Sequence, residues 1–196
     1  MRFVIMADGK GTRWNNYLGI PKHMAEVKGE ALIERTIRLI RELNDEDDVE
    51  IIVTSHDKRY EFCGSTRYEP LNNRLEIDRF TDELLIDGMC FLYGDTYYTE
   101  ASLSKILECE AEDILFFGNE KSIVAVKISN SELFRYHVCR VRQLYLEGAL
   151  NRCVGWQVYQ SFTSQDFNDV ISTEKKFIYV DRETRDINTP EEYEVI

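Results

Sequence analysis

A polar, glycine-containing segment near the N-terminus has residue types that bind phosphate groups. The glycine loop, Asp8 to Arg13, follows directly after an apolar, β-favouring run over residues 2–7. Open α/β sheets bind ligands outside the carboxyl ends of their strands. Glycines let backbone N–H groups come close to phosphate oxygens. The segment therefore predicts a phosphate-binding loop, although a plain tight turn explains a pair of glycines equally well.

The glycine loop does not fit two common phosphate-binding motifs. A P-loop requires a Gly-Lys-Ser/Thr triplet that opens a helix, but Lys10 is followed by Gly11. A dinucleotide-binding fingerprint requires a third glycine at the position that Trp14 occupies. Both classes of nucleotide-binding protein are therefore disfavoured.

Charged residues farther along the chain are candidates to act with this loop. Lys22 suits contact with a phosphate oxygen, although a lone loop lysine is usually solvated. Asp95 follows an apolar run, and Asp186 lies near the C-terminus. Mg²⁺ takes few protein carboxylates and fills its octahedron with water and phosphate oxygens. In a chain with 36 Asp and Glu residues, an aspartate needs positional support before it is assigned to a metal. A strand-end turn also explains Asp95, a helix-leading position also explains Asp186, and Asp181 is a rival to Asp186.

Alternating strands and helices would position these residues. Strands are predicted at 2–7, 49–54, 89–93, 114–117, 123–128 and 177–180 from their apolar character. Helices are predicted at 31–43, 75–86, 102–109 and 131–146, and a last helix begins at Thr189 and Pro190. Residues 44–48 are predicted to form an exposed turn, and residues 151–173 a helical insert.

This alternation predicts the fold class. A strand–helix–strand unit implies parallel strands with a right-handed crossover. We expect an α/β fold, a three-layer α/β/α sandwich around a mostly parallel sheet, with residues 1–196 as a single domain. In such a sheet the strand ends meet at one edge, which allows Asp95 and Asp186 to converge.

The composition excludes several functions. A formal net charge of −12 opposes binding to nucleic acid or to an anionic membrane. No apolar run approaches the roughly 20 residues that span a bilayer. We therefore expect a cytoplasmic protein with no nucleic-acid or membrane partner.

The cysteines do not form a recognisable framework. There are five of them, with no C-x-x-C pair, which disfavours both a disulfide scaffold and a structural zinc site. We expect reduced and mostly buried thiols.

Several short motifs occur in an order that is typical of one enzyme family. They are the run 6–13, Pro21-Lys22, Val27 and Gly29 before an apolar stretch, Gly94-Asp95, and Asp186-Ile187-Asn188-Thr189-Pro190-Glu191. Together they resemble the signature of the sugar-phosphate and alditol-phosphate nucleotidyltransferases and of the related molybdopterin-guanine-type transferases. The resemblance spans residues 2–193 and departs from the family pattern at Asp8, where a small residue usually stands.

The resemblance implies a nucleotide-diphospho-sugar transferase (GT-A-like) fold, Mg²⁺ as cofactor, and transfer of a nucleoside monophosphate from an NTP to a phosphorylated acceptor with release of pyrophosphate. Arg13, and in second place Lys10, would hold the β- and γ-phosphates, and Lys22 would touch the α-phosphate. Asp95 and Asp186 would hold Mg²⁺. The residues implied in nucleotide binding are Ala7, Asp8, Gly9, Lys10, Gly11, Thr12, Asn72 and Asn73.

Asn72 and Asn73 have a weaker claim to this role. They lie where choline-phosphate and alditol-phosphate cytidylyltransferases carry a similar Tyr-Asn…Asn-Asn segment, here after Tyr68. An Asn-Asn turn before a helix explains them equally well.

Such a reaction depends on alignment and charge neutralisation more than on covalent chemistry. A phosphate monoester is already ionised near neutral pH, so no general base is required. Accordingly, no histidine has triad-like spacing: we expect His56 in a loop, His137 in the core and His23 at the surface, with a place lining the site as the alternative for His23.

The substrates are less well defined. The small size and the asparagine pair favour CTP, with UTP and GTP open. The acceptor would be a sugar, alditol, glycerol or choline-type phosphate that feeds surface-polysaccharide synthesis, and a homodimer is left open. The alternatives are a glycosyltransferase, which would place an acid at Tyr97, and a non-catalytic nucleotide-binding or regulatory module of the same fold, which would have lost a residue such as Arg13 or Lys22.

Overall fold

The computed structural model describes residues 1–44 and 49–196. The strands are β1 (Arg2–Met6), β2 (Glu26–Val27), β3 (Glu30–Ala31), β4 (Glu50–Thr54), β5 (Thr66–Tyr68), β6 (Met89–Tyr93), β7 (Thr96–Tyr97), β8 (Ile114–Gly118), β9 (Ile123–Ile128), β10 (Phe177–Tyr179) and β11 (Arg185–Asp186). The helices are α1 (Leu32–Leu43), α2 (Glu100–Glu108), α3 (Ser131–Leu146), α4 (Gly155–Phe162) and α5 (Pro190–Tyr193). No helix of these residues is long and apolar enough to cross a membrane.

A central sheet organises the chain. Within the described ranges it has seven strands in the order β10-β8-β9-β6-β1-β4-β5. Strand β1 pairs in parallel with both β4 and β6, as the strand–helix–strand pattern predicted. Strand β9 is antiparallel to β6 and β8, and β8 and β9 form a hairpin. The sheet is therefore mostly parallel.

Helices cover both faces of this sheet because the side chains of its strands alternate in direction. On one face, Phe3 and Ile5 of β1 share a buried cluster with Ile33 of α1 and Leu103 of α2. On the other face, Val4 and Met6 pack in a second cluster with residues of α3 and α4 such as Phe134 and Val158. The predicted three-layer α/β/α sandwich is confirmed, and the expectation of one domain stays a prediction.

One predicted helix is wrong. Residues 75–86 form two 3₁₀ turns, Glu76–Arg79 and Asp82–Leu84. Between them Phe80 (φ −75°, ψ 76°) lies outside the helical region. The carboxylate of Asp78 accepts hydrogen bonds from the backbone N–H groups of Arg74 (2.9 Å) and Leu75 (2.8 Å). These bonds cap the first turn. The chain leaves the helical conformation at Phe80, whose buried ring packs edge-on against Phe91 and Phe134, so core packing overrides the helical pattern.

The remaining local predictions largely agree with the structure. The helical insert contains α4, and Thr189 caps α5 with its side-chain oxygen. The cysteines are free, as expected, but only Cys90 and Cys153 are buried, so the prediction of mostly buried thiols is wrong. The predicted turn at 44–48 falls largely on residues 45–48, which lie outside the described residues.

We predict that Gly94→Ala lowers the free energy of unfolding by about 1–3 kcal/mol, the usual cost of overpacking. Gly94 follows β6 and donates its N–H to the Met6 carbonyl (3.0 Å). A Cβ at this position would lie 2.8 Å from that carbonyl oxygen, so β1 and β6 would have to separate. Urea unfolding measures the change, and a variant as stable as the parent would contradict this account of the strand contact.

Candidate active site

The glycine loop connects β1 to the first helical turn. Gly11 has a left-handed backbone (φ 59°), a conformation that glycine adopts without steric cost. Its carbonyl accepts hydrogen bonds from the N–H groups of Trp14 (3.1 Å) and Asn15 (3.2 Å), which closes the turn. A Cβ on Gly9 would lie 3.3 Å from the guanidinium of Arg79. The loop thus lets an arginine from a distant segment approach its backbone.

A cavity of about 200 Å³ lies against this loop, and we call it the loop cavity. It brings most of the predicted loop and cation residues together with a segment from residues 73–79. The lining residues are Gly9, Lys10, Gly11, Thr12, Arg13, Lys22, Asn73, Arg74, Leu75, Glu76, Arg79 and Asn188.

Asn188 connects the predicted charged residues. Its Oδ1 accepts hydrogen bonds from the Arg13 guanidinium (2.8 Å) and from the Lys22 ammonium (3.3 Å). Its Nδ2 donates to the carboxylate of Asp186. Asn188 itself is buried, with 7% of its surface exposed. One amide therefore holds two cations and one candidate metal ligand in fixed relative positions.

Lys22 and Asp95 form a buried ion pair. The Lys22 ammonium donates to Asp95 Oδ2, and each side chain is 8% exposed. Burial alone raises the pKa of a carboxyl group, but the neighbouring Lys22 charge holds the pKa of Asp95 below its usual value. Asp95 is therefore ionised at neutral pH, and Lys22 is fixed beside it.

A small antiparallel pair of strands explains how two distant aspartates meet. In the pairing of β7 with β11, Asp186 lies opposite Thr96, the residue after Asp95. The N–H of Ile187 donates to the Asp95 carbonyl (2.7 Å). The Asp186 carboxylate also accepts a hydrogen bond from the Ser122 hydroxyl (2.7 Å). The C-terminal segment is thus fastened to the end of β6.

Asp95 and Asp186 line one cavity of about 240 Å³, which we call the aspartate cavity. It shares part of its wall with the loop cavity. Its lining residues are Arg13, Glu76, Arg79, Tyr93, Asp95, Lys121, Ser122, Ile123, Arg152, Val154, Gly155, Trp156, Asp186 and Asn188.

The donor set of this cavity suits Mg²⁺ better than a softer metal. In the described ranges no group of three or more His, Cys, Asp or Glu side chains is arranged to hold a metal ion. Two carboxylates that line one cavity match a magnesium ion, which takes few protein carboxylates and keeps most of its ligands as water and phosphate. Asp95 and Asp186 are therefore the residues that could hold Mg²⁺ here.

The rival aspartate lies elsewhere. Asp181 accepts hydrogen bonds from the hydroxyls of Thr99 and Ser102 at the start of α2. It also accepts from the backbone N–H groups of Glu183 (3.0 Å) and Thr184 (2.8 Å). These bonds occupy its carboxylate in a local turn, so Asp186 is the residue that faces the cavity.

Asp8 and Ala7 line a third cavity beside the loop, together with Trp14 and Tyr60. The Asp8 carboxylate accepts from the backbone N–H of His56 (2.9 Å) and contacts its ring Nδ1 (2.8 Å). The side chain that departs from the family pattern therefore ties the loop to the end of β4.

Only one of the two predicted asparagines lines the loop cavity. The Asn73 amide donates to the Asp8 carbonyl (2.8 Å) and lines the loop cavity. Asn72 is exposed and does not line that cavity.

Two residues of the site were not predicted. Asn188 was part of a quoted motif, but its three bonds depend on partners up to 175 residues away. Arg79 lay in a segment that was predicted as a helix, and it lines both cavities. A helical pattern over this segment does not predict that Arg79 lies beside the glycine loop.

The histidines agree with the predictions at two of three positions. His56 is exposed in a loop and His137 is buried, as expected. His23, expected at the surface, is 3% exposed, with Nδ1 2.7 Å from the Tyr60 hydroxyl. Burial lowers its pKa from 6.5 to about 3, so His23 is neutral at physiological pH.

The comparisons with known proteins agree with this geometry at the level of the fold. No protein-family model and no curated protein sequence matches the chain. CTP:phosphocholine cytidylyltransferase from Streptococcus pneumoniae has a similar structure, with a TM-score of 0.62, 14% identity, and coverage of 99% of this chain and 96% of that chain.

Two further solved structures are similar over nearly their whole length. A putative glucose-1-phosphate thymidylyltransferase from Bacillus anthracis has a TM-score of 0.61 at 12% identity, covering 100% of this chain and 93% of that chain. The inositol-1-phosphate CTP transferase from T. maritima has a TM-score of 0.57 at 14% identity, covering 97% and 90%. The chain has the nucleotidyltransferase fold, so the resemblance drawn from the motifs is confirmed at that level.

We predict that burial of neutral His23 makes the protein less stable in mild acid. The unfolded chain protonates this histidine near pH 6.5, whereas the folded chain does so only near pH 3, so stability is full above pH 6.5 and is lost as the pH falls. The free energy of unfolding should decrease by about 1 kcal/mol between about pH 7 and pH 5.5 through this group. Urea unfolding of the parent and of His23→Gln isolates the contribution, and an equal decrease in both proteins would contradict it.

Proposed function

We propose that this chain is a magnesium-dependent nucleotidyltransferase, which transfers a nucleoside monophosphate from an NTP to a small phosphorylated acceptor and releases pyrophosphate. One observation carries the proposal. Arg13, Lys22, Asp95 and Asp186 come from four separate segments, and Asn188 and the Lys22–Asp95 pair join them in one bonded cluster beside the glycine loop. Cations and carboxylates so arranged are what an in-line reaction between two anions needs.

The loop cavity is the proposed site of the triphosphate. Besides Lys22, which is paired with Asp95, four cations line it: Lys10 and Arg13 from the glycine loop, and Arg74 and Arg79 from the segment 73–79. Arginine binds phosphate oxygens through a planar fork of N–H donors, and lysine acts as a point charge. In a chain with a formal net charge of −12, four such cations at one cavity make a local site for an anion.

Lys22 would stabilise the charge that develops on the α-phosphate. Its ammonium lies between the two cavities, because it lines the loop cavity while its partner Asp95 lines the aspartate cavity. The bonds to Asp95 and Asn188 hold the ammonium in place before substrate arrives, so little reorganisation is needed in the transition state. The attacking phosphate oxygen is already ionised, and the site therefore requires no general base.

Asp95 and Asp186 are the proposed magnesium ligands. The ion, when bound, would neutralise charge on the α-phosphate and the leaving pyrophosphate. The chain's own residues fix the two carboxylates: Lys22 orients Asp95, and Ser122 with Asn188 orients Asp186.

CTP is the proposed nucleotide. Two of the similar structures are named as enzymes that use CTP, and a third is named as a thymidylyltransferase. The asparagine pair in the sequence also favoured CTP. One of the two, Asn73, donates its amide to the Asp8 carbonyl and lines the loop cavity, the proposed nucleotide site.

A nucleotide panel tests the proposed function. Melting temperature is measured with CTP, UTP, GTP and ATP, each with Mg²⁺, and pyrophosphate release is measured with a mixture of phosphorylated acceptors. A ligand at 100 times its dissociation constant adds about 2.7 kcal/mol of stability. We expect CTP to give the largest increase and acceptor-dependent pyrophosphate release. A protein that none of the four nucleotides stabilises, and that releases no pyrophosphate, would contradict the proposal.

We predict that Asp95→Asn and Asp186→Asn each lower kcat by at least about a hundredfold, because each removes a charge that neutralises the reacting phosphates. Asp169→Asn, at an exposed position outside both cavities, is the matched control and should keep the parent rate. Asp181→Asn should retain most activity, since its carboxylate serves the turn before α2. If Asp181→Asn were as inactive as Asp95→Asn, the assignment of the metal ligands would be wrong.

A further inference from the structure

The aspartate cavity carries more positive charge than a magnesium site requires. Apart from its two aspartates, its wall contains one carboxylate, that of Glu76, and four cations. The cations are Arg13, Arg79, Lys121 and Arg152. This part of the wall therefore favours an anion or a neutral polar group and repels a cationic one.

Three of these cations are available to a ligand. Within residues 1–44 and 49–196, the side chains of Lys121 and Arg152 have neither a hydrogen bond nor an ion pair, and both residues are exposed. Arg79 has only a long contact to Glu76, at 4.0 Å. In contrast, Arg13 is already bonded to Asn188. Lys121 and Arg152 do not line the loop cavity, so a phosphate group in the aspartate cavity would find two uncompensated cations beyond the proposed triphosphate site, and Arg79 lines both cavities.

The Tyr93 hydroxyl is an additional donor in this cavity. A Cβ on Gly155 would lie 2.7 Å from its oxygen, so the glycine makes room for the ring. In the part of the chain that the structure describes, the hydroxyl has no hydrogen-bond partner. A phenolic hydroxyl carries a proton that it can donate to a ligand oxygen.

Glu76 supplies a complementary acceptor. Its side chain is 53% exposed and lines both cavities. A carboxylate that is not paired closely accepts hydrogen bonds from ligand hydroxyls. The same wall therefore offers both a donor and an acceptor to a compound that has several hydroxyl groups.

The two aromatic residues of the cavity, Tyr93 and Trp156, do not form a cage for a quaternary ammonium ion. Such ions are bound by ring faces in an environment without competing cations. Trp156 stacks on Phe177 at 5.6 Å with an interplanar angle of 11°, so one face of the indole is covered. Arg152 and Lys121 line the same cavity and would oppose a second cation.

We propose that the acceptor is a phosphomonoester of a polyhydroxylated compound without a cationic group, bound in the aspartate cavity with its phosphate against Arg79, Lys121 and Arg152 and its hydroxyls on Tyr93 and Glu76. This inference rests on the proposed nucleotidyl transfer and separates this chain from a phosphocholine-specific enzyme. Lys121 and Arg152 are the specificity-determining residues, because no other group of the described chain neutralises the charges of their side chains.

An acceptor panel tests the charge argument directly. Values of kcat/KM are measured with myo-inositol 1-phosphate, glucose 1-phosphate, glycerol 3-phosphate, choline phosphate and 3,3-dimethylbutyl phosphate, the neutral isostere of choline phosphate. We expect at least one polyol phosphate to exceed choline phosphate by tenfold or more, and the neutral isostere to exceed choline phosphate as well. Choline phosphate as the best acceptor would overturn the inference and leave the proposed function standing.

Variants test the two residues. Lys121→Ala and Arg152→Ala should each raise the KM of the preferred acceptor about tenfold or more, while the KM of the NTP stays within twofold of the parent. Lys175→Ala, which removes the same charge at an exposed position outside the cavity, is the matched control. Unchanged acceptor KM in both variants would overturn the assignment.

A binding measurement separates this inference from the proposed function. Calorimetric titration of the same acceptors into the parent and the Arg152→Ala protein requires no turnover. Polyol phosphate that binds the parent and binds Arg152→Ala at least tenfold more weakly supports the cavity assignment, even if no NTP is consumed. Equal affinity in both proteins, or no binding to the parent, contradicts it.

Discussion

The buried ion pair between Lys22 and Asp95 is the interaction on which the candidate site depends. Taking two charges out of water costs several kcal/mol per ion, and the pair is tolerated only with close contact and further hydrogen bonds. Asn188 supplies such a bond to Lys22. Removing one partner of such a pair leaves a buried charge and costs about 3–5 kcal/mol. The pair thus fixes both the ammonium and the carboxylate where the two cavities meet.

The rest of the fold brings these two residues together. Strands β1 and β6 are parallel neighbours, so the glycine loop and Asp95 leave the sheet at the same edge. The short pairing of β7 with β11 then brings Asp186 and Asn188 to that edge. Because the C-terminal segment also donates the Ile187 N–H to the Asp95 carbonyl, the last part of the chain contributes directly to the site.

The sequence was informative where the determining interactions are local. The apolar strands, the helix at 31–43 and the start of the last helix at Thr189 follow from patterns within about 15 residues, and the structure contains each of them. Because strand ends meet at one edge of a sheet, the sequence also identified the charged loop residues Arg13 and Lys22, which line the loop cavity. The roles of these residues stay predictions.

The sequence was uninformative where a residue acts through a distant partner. The segment 75–86 has a helical pattern, but its backbone leaves the helical region at Phe80, where the ring packs into the core against Phe91 and Phe134. His23 is buried because the segment around Tyr60 covers it. Asn188 acquires its three partners only in the folded chain.

Anomalous diffraction from Mn²⁺ tests the central claim most directly. Crystals of the protein are soaked with Mn²⁺ and a non-hydrolysable CTP analogue, and data are collected at the manganese edge. The account predicts a peak between the carboxylates of Asp95 and Asp186, with the analogue's phosphates against the glycine loop and Lys22. A peak at another position, or bound nucleotide with no ion at these two aspartates, would contradict it.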